Sequence, residues 1–245
     1  MKRQTRVAII GGGAVGCSAL YHLARLGWTD VVLLERDELT AGSTWHAAGN
    51  CPNFSTSWSI LKLQRHSTEL YRRLAQEVGY DINYHVTGSI RLAHTADRAD
   101  EFRHVLAQAR AQDTDFELLS PAEIKSRHPF LELDDIRLGL WDPGDGDIDP
   151  AQLTQALAKG ARDLGAEVYR HTRVTALREH ASGGWRIETT AGSIDAEYVI
   201  NAAGYRSAEI AAMVGEYLPM VTLSHLYLVT VDFPELMERG AARLP

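Results

Sequence analysis

The sequence predicts an α/β fold in which a parallel strand–helix–strand unit is interrupted by a long excursion and then resumed as sheet. Three observations carry that expectation. Residues 6–10 ("RVAII") are a short β-branched run entering the glycine-rich "GGGAVG". Residues 31–35 ("VVLLE") are a second buried-strand run one helix length later, so the pair must be parallel with a right-handed crossover. After about a hundred residues of mixed pattern the chain returns to strands that end in "YVINAAG".

The elements follow in order. A helix over 14–26 would show Val15, Ala19, Leu23 and Leu26 on one face and stop at Gly27. A long helix over 58–78 carries Leu63, Leu70, Tyr71, Leu74 and Val78 on one face, with Gly79 ending it. Residues 84–94 alternate as a strand pair around Gly88. Helices follow at 96–112 and 121–127, the second opened by Ser120 as cap and Pro121 as first residue. "WDPGDGDIDP" is a turn region. A helix over 151–164, closed by Gly165, precedes the strands "EVYR", "RVTALREH", "GWRIETT" and "GSIDAEYVINAAG". "HLYLVTV" alternates as a further strand, with Tyr227 on the same face as His225.

The 245 residues are 45% hydrophobic and 23% charged, enough to bury a sizeable core without a metal or disulfide staple. A net charge of -7 argues against nucleic acid as a principal partner but leaves room for a small anionic ligand. The two cysteines, Cys17 and Cys51, form no ligand-spaced set and suit a reducing compartment. No apolar run reaches the roughly 20 residues of a membrane span. The chain enters its first strand after a short basic start, which leaves no room for a signal or transit peptide, so a cytoplasmic protein is expected.

The chemistry-bearing motif is Gly11-x-Gly13-x-x-Gly16. Gly11 permits a tight turn, Gly13 lets backbone approach a pyrophosphate, and Gly16 lets the helix pack close to the sheet. The helix N-terminus adds free amides and a positive dipole. Glu35 ends the next strand 24 positions after Gly11, where an acid binds a ribose hydroxyl pair. A plain structural turn is the bland alternative, and the glycines leave NAD and FAD both open. The long mixed segment departs from the repeating βαβ pattern of an NAD-type unit. Asp142, Asp145, Asp147 and Asp149 invite a calcium loop, but Pro150 and Ala156 stand where such a loop needs Gly and Glu. Asp149 ahead of Pro150 reads instead as a helix cap.

"VAIIGGGAVGCSALYHLARLG", "VVLLERDELTAGSTWHAAGN", "YHVTGSIRLAH", "GDIDPAQLTQALAKGARDLGAEV" and "YVINAAGYRSAEIAAMVG" together resemble FAD-dependent amine oxidoreductases of the D-amino-acid oxidase superfamily, in the dimethylglycine and sarcosine dehydrogenase or oxidase branch. The resemblance spans essentially the whole chain and is most specific at "GSTWHAAG". It implies a Rossmann-like FAD-binding domain (1–55 and 145–218) interleaved with a mixed-sheet substrate domain (56–144 and 219–245) that is incomplete at the C-terminus. It further implies that His46 is joined covalently to the flavin. Ala14, Val15, Arg36, Ser43, Thr44, Trp45, Asn50 and Gly204 are implied as cofactor-binding alongside Gly11, Gly13, Gly16 and Glu35. The Val174 backbone would meet the adenine, and His225 would be an active-site histidine near the substrate amine. Arg91 is a candidate anchor for a substrate carboxylate.

The implied reaction is oxidation of an N-methylated glycine, with hydride passing to FAD and the iminium hydrolysed to formaldehyde or captured by tetrahydrofolate. Oxygen or an electron-transfer protein takes the electrons. Members of the branch run on through more substrate-domain strands and often a folate-binding region, so this chain is expected to be an N-terminal portion, with tetrahydrofolate reached only through the missing region. A non-catalytic regulatory protein on the same fold, another FAD-dependent amino acid oxidoreductase, and an NAD dehydrogenase are the alternatives.

Overall fold

The computed structural model of the chain describes residues 1–53, 55, 57–111, 114–238 and 243–245. The chain begins with β1 (Gln4–Ile10), α1 (Ala14–Arg25) and β2 (Val31–Leu34). The excursion comprises β3 (Asn50–Cys51), α2 (Trp58–Val78), β4 (His85–Val86), β5 (Ser89–Ala93), α3 (Ala96–Arg110), β6 (Glu117–Leu119), α4 (Pro121–Arg127), β7 (Leu138–Asp142) and β8 (Gly146–Asp147). Then come α5 (Pro150–Asp163), β9 (Glu167–Tyr169), β10 (Val174–Glu179), β11 (Trp185–Thr189), β12 (Gly192–Asn201), α6 (Ser207–Ala212) and α7 (Pro234–Met237). The expected end of the third helix, at Gln112, lies outside the described residues. The α/β expectation holds, and the residues divide into two compact units.

The first unit comprises 1–48, 73–83 and 149–225. Its six-stranded sheet runs β10-β11-β12-β1-β2-β9. β12, β1, β2 and β9 are parallel, while β10, β11 and β12 are antiparallel. All four residues of β2 are buried, as a strand covered on both faces requires. Ala8, Ile10, Val32 and Leu34 form one core with Leu177, Ile187 and Ile194.

The buried face of α1 differs from the expected one. Gly16, Cys17, Leu20, Tyr21 and Ala24 are buried, whereas Val15 and Leu26 are 73% and 77% exposed. The spacing of three and four fits either stripe. The choice is made by small residues: α1 packs closely on the turn before it at Gly16 and against α5, where Gly160 faces the Tyr21 ring. α5 itself starts on Asp149, whose Oδ1 accepts from the amides of Ala151 (2.8 Å) and Gln152 (3.0 Å), with Pro150 at the first position.

The second unit comprises 49–72, 84–148 and 226–245. It holds two three-stranded sheets, β3-β8-β4 and β5-β7-β6. On the latter, Phe102 of α3 is fully buried with Ala99, Val105 and Leu106 against Leu138 and Leu140. α4 opens with a reciprocal cap between Ser120 and Glu123. The turn between β7 and β8 is internally bonded. Asp145 Oδ1 accepts from the Asn53 amide at 2.5 Å, and Oδ2 accepts from Ser89 and from Arg91 Nη1 at 3.3 Å. Arg91 therefore ion-pairs within the fold.

Asp142, 3% exposed, accepts from the Gly144 amide at 2.8 Å through Oδ1, while its Oδ2 is buried without a hydrogen-bond partner. Burial first, and the neighbouring Asp145 second, push Asp142 up to about 7.

Candidate functional site

β1 lies between β12 and β2, so the order in which the chain visits the sheet reverses at β1. In a doubly wound sheet such a switch point opens a crevice at the strands' carboxyl ends. The glycine-rich segment lies there. Its first residue continues the sheet's bonding: the Gly11 amide donates to Leu34 O at 3.0 Å, and the Ala202 amide donates to Ile10 O at 2.9 Å.

Gly11 has φ +114°, and a Cβ there would lie 2.3 Å from Ala202 O. A Cβ on Gly16 would lie 1.9 Å from Gly11 O. Both obstacles are backbone, so neither position accepts a side chain without moving α1 or β12. Gly13 stands at the N-cap of α1 and has no side chain with which to cap it. The Ala14 amide instead donates to Thr44 Oγ1 at 3.1 Å.

Glu35 is tied into the same turn. Its Oε2 accepts from the Gly12 amide at 2.6 Å and its Oε1 from the Asp37 amide at 2.8 Å. A carboxylate has about four acceptor positions. Two therefore remain for ligand hydroxyls, and the side chain is already oriented.

These groups line a cavity of about 270 Å³ built entirely from the first unit. Gly11, Gly13, Ala14 and Val15 contribute from the β1–α1 turn, Glu35 and Arg36 from the end of β2, Ser43 and Thr44 from the following loop. Val174 enters from β10 and Gly204 from the segment after β12. Ligand pockets start at around 300 Å³, so the space suits one nucleotide half of a dinucleotide. Its acids (Glu35, Asp37, Glu209) and bases (Arg36, Arg173, Arg206) are equal in number. Attraction for phosphate therefore rests chiefly on the amides and dipole of the α1 N-terminus. The glycine cradle, the uncapped helix start and the oriented acid fit the diphosphate and ribose of FAD.

Other residues singled out from sequence lie elsewhere. Gly16 is buried behind the turn. Trp45 and His46 sit on a single 3-10 turn, 44–46, both exposed, with ring centroids 3.8 Å apart. Neither lines the cavity, although Thr44 beside them does. Asn50 belongs to the second unit, where β3 places it opposite Asp147. His225 is exposed in a stretch with no strand pairing. The strand expected at 225–231 is thus corrected: alternation marks a sequence suited to a sheet, but a strand exists only where a neighbour bonds its backbone.

The sequence reading missed Thr172, Arg173, Tyr205, Arg206, Glu209 and Met213, all of which line the cavity. A signal for Tyr205, Arg206 and Glu209 was present in "INAAGYRSAEI". A strand returning beside β1 delivers the residues that follow it to the glycine turn. Among the described residues no helix is long and apolar enough to cross a membrane, and no cluster of His, Cys, Asp and Glu could hold a metal ion.

A family model described as FAD dependent oxidoreductase matches residues 6–245. The chain is 43% identical over 235 residues to mitochondrial dimethylglycine dehydrogenase of Rattus norvegicus, covering 96% of this chain and 27% of that protein. It is 36% identical to mitochondrial sarcosine dehydrogenase of Homo sapiens, covering 91% and 25%. Against the mitochondrial pyruvate dehydrogenase phosphatase regulatory subunit of Mus musculus it is 34% identical, covering 93% and 26%. Among solved structures, glycine oxidase from Geobacillus kaustophilus superposes with a TM-score of 0.76 at 30% identity, over 87% of this chain and 59% of that one. The chain thus spans about a quarter of the length of these curated relatives.

Proposed function

The chain belongs to the FAD dependent oxidoreductase family, and from that premise we propose that it is the cofactor-holding part of an enzyme that oxidises an N-methylated glycine. One observation carries the proposal: the cradle at the end of β1, where two obligatory glycines, an uncapped helix and a pre-oriented Glu35 converge on one cavity. The similarity to dimethylglycine and sarcosine dehydrogenases supports the substrate class.

In this reading Gly13 and Val15 present backbone to the diphosphate beside Ala14, whose amide Thr44 holds, and Glu35 accepts from the adenosine ribose. The Val174 backbone faces the adenine. Bound FAD supplies the two-electron acceptor for the substrate's N-methyl group. His46 is the residue we assign to a covalent bond with the flavin. Its position two residues beyond Thr44, and its exposure among small residues, support access for a flat ring. A neutral imidazole is a competent nucleophile. His225 remains our assignment for the substrate amine. Electrons leave to oxygen or to a carrier protein, and any transfer of the one-carbon unit to tetrahydrofolate falls to sequence beyond this chain. Both cysteines are unpaired, which supports a reducing compartment such as the cytoplasm.

The test is optical. The purified protein should show oxidised-flavin absorption that an N-methylated glycine bleaches without oxygen. Acid-denatured protein should keep a fluorescent flavin on a gel, and His46→Ala should lose it. Quantitative release of free flavin from the wild type would defeat the tether. Absence of flavin would defeat the whole reading.

The likeness to a phosphatase regulatory subunit supports a second reading, a flavin-fold protein without turnover. It predicts bound flavin that no N-methylated glycine reduces.

A further inference from the structure

The turn that carries His46 is fastened to the start of α1 by the Thr44 side chain. Thr44 opens the 3-10 turn 44–46, and its Oγ1 accepts from the Ala14 amide at 3.1 Å. That amide belongs to the first residue of α1, whose N-cap, Gly13, has no side chain to offer. A hydroxyl 30 positions further along the chain thus does for α1 what a cap residue does from the N-cap itself. Gly13 makes the room: a Cβ there would lie 3.0 Å from Thr44 Oγ1. The loop reaches this point by a strained route. Thr40 has φ +73°, in the left-handed region that a β-branched residue rarely adopts. Its amide donates to Gly12 O at 3.0 Å, and its carbonyl accepts from the Trp45 amide at 3.4 Å. Strain of this kind persists where the surroundings impose it, and it gathers at functional sites. Within the turn the His46 amide donates to Ser43 O at 3.3 Å and the Ala47 amide to Thr44 O at 3.2 Å. The backbone that bears the imidazole is therefore bonded on both sides of Thr44.

Resting on the FAD reading and the His46 assignment above, we propose that Thr44 is a positioning residue for flavin attachment. By capping α1 it fixes the His46 turn relative to the turn that receives the diphosphate. The two turns grip different parts of one cofactor, and the Thr44–Ala14 bond sets the spacing between them. Attachment exchanges the imidazole N–H and one C–H of a flavin ring methyl for an N–C bond; the two electrons and two protons pass to the flavin and from it to oxygen. A misplacement of about 1 Å between reacting groups can slow a step about a hundredfold, so the anchor is read in the rate.

The test follows attachment itself. Flavin-free full chain is mixed with saturating FAD and quenched in acid at intervals. Fluorescence retained on a denaturing gel is compared with total bound flavin for wild type, Thr44→Val and Thr44→Ser. Valine keeps the shape and loses the acceptor, whereas serine keeps the hydroxyl. Attachment should be at least about tenfold slower in Thr44→Val and within about threefold of wild type in Thr44→Ser, with both variants binding FAD as fully as wild type. A wild-type rate in Thr44→Val would overturn the proposal. So would serine as slow as valine, because the methyl group and its packing would then matter rather than the hydroxyl. A Thr44→Val protein that no longer binds FAD would make Thr44 a binding or folding residue and overturn it too. Wild type that binds FAD and never attaches it would sink the His46 assignment, and this proposal with it; wild type that binds no FAD would sink the cofactor reading.

Discussion

Asp142→Asn should make the protein more stable, by clearly more at pH 8 than at pH 5. Asp142 is buried, and its carboxyl is pushed from an ordinary 3.8 up to about 7 by burial and by Asp145. Between those two values the native chain keeps a proton that the unfolded chain has released. Stability from this group is therefore full below about pH 4, falls as pH rises towards 7, and is flat above that. If folding felt the whole difference, the loss would be on the order of 4 kcal/mol. The Arg91 charge is already contained in that value; relaxation and water entry around the ionised carboxyl reduce the loss, so about 2 kcal/mol is the working expectation. Asparagine has the shape of the protonated acid and carries no charge to bury. It can still accept from the Gly144 amide. The depressed carboxyls Asp30, Glu167 and Asp195, each held down first by a hydrogen bond from Lys2, Tyr169 and Arg186 respectively, act below about pH 4 and stay out of the window. The assay is urea unfolding of both proteins at pH 5, 6, 7 and 8. Parallel pH slopes, or a variant less stable at pH 8, would refute a raised Asp142 carboxyl.

Two further expectations concern the cradle, both read on protein prepared without flavin so that the site is open to ADP. Gly16→Ala should cost about 1–3 kcal/mol by overpacking, because its Cβ would meet the Gly11 carbonyl, and should abolish ADP binding; a melting temperature and ADP affinity equal to wild type would show that the turn has slack. Glu35→Gln should weaken ADP and adenosine equally, by about tenfold, since the lost partner is the ribose they share. Calorimetry decides it, and a loss confined to ADP would place the acid nearer the diphosphate than the sugar.

Much of the site was legible in local pattern because its physics is local. A glycine that must turn at positive φ, a helix start without a cap and an acid at the end of the next strand are each set within a few residues. Helix starts at Ser120 and Asp149 were legible for the same reason: a side chain caps an amide two or three positions on. The buried face of α1 was not. Val15 and Leu26 are as apolar as Leu20, and only the neighbours that α1 meets distinguish them. The stretch 225–231 shows the same limit from the other side. Its alternation is that of a strand, yet no described residue bonds to it as one.

From the linear chain alone follow the element types, the position of the glycine turn, and the family resemblance that points to flavin chemistry, since these rest on residues adjacent in sequence. The three-dimensional arrangement contributed the rest. It set β12 beside β1 although some 180 residues separate them, brought Ala202 against Gly11, and so delivered Tyr205, Arg206 and Glu209 to a cavity that no local motif announces. It also raised the Asp142 carboxyl, through a burial and a neighbour that exist only once β7 and β8 are folded.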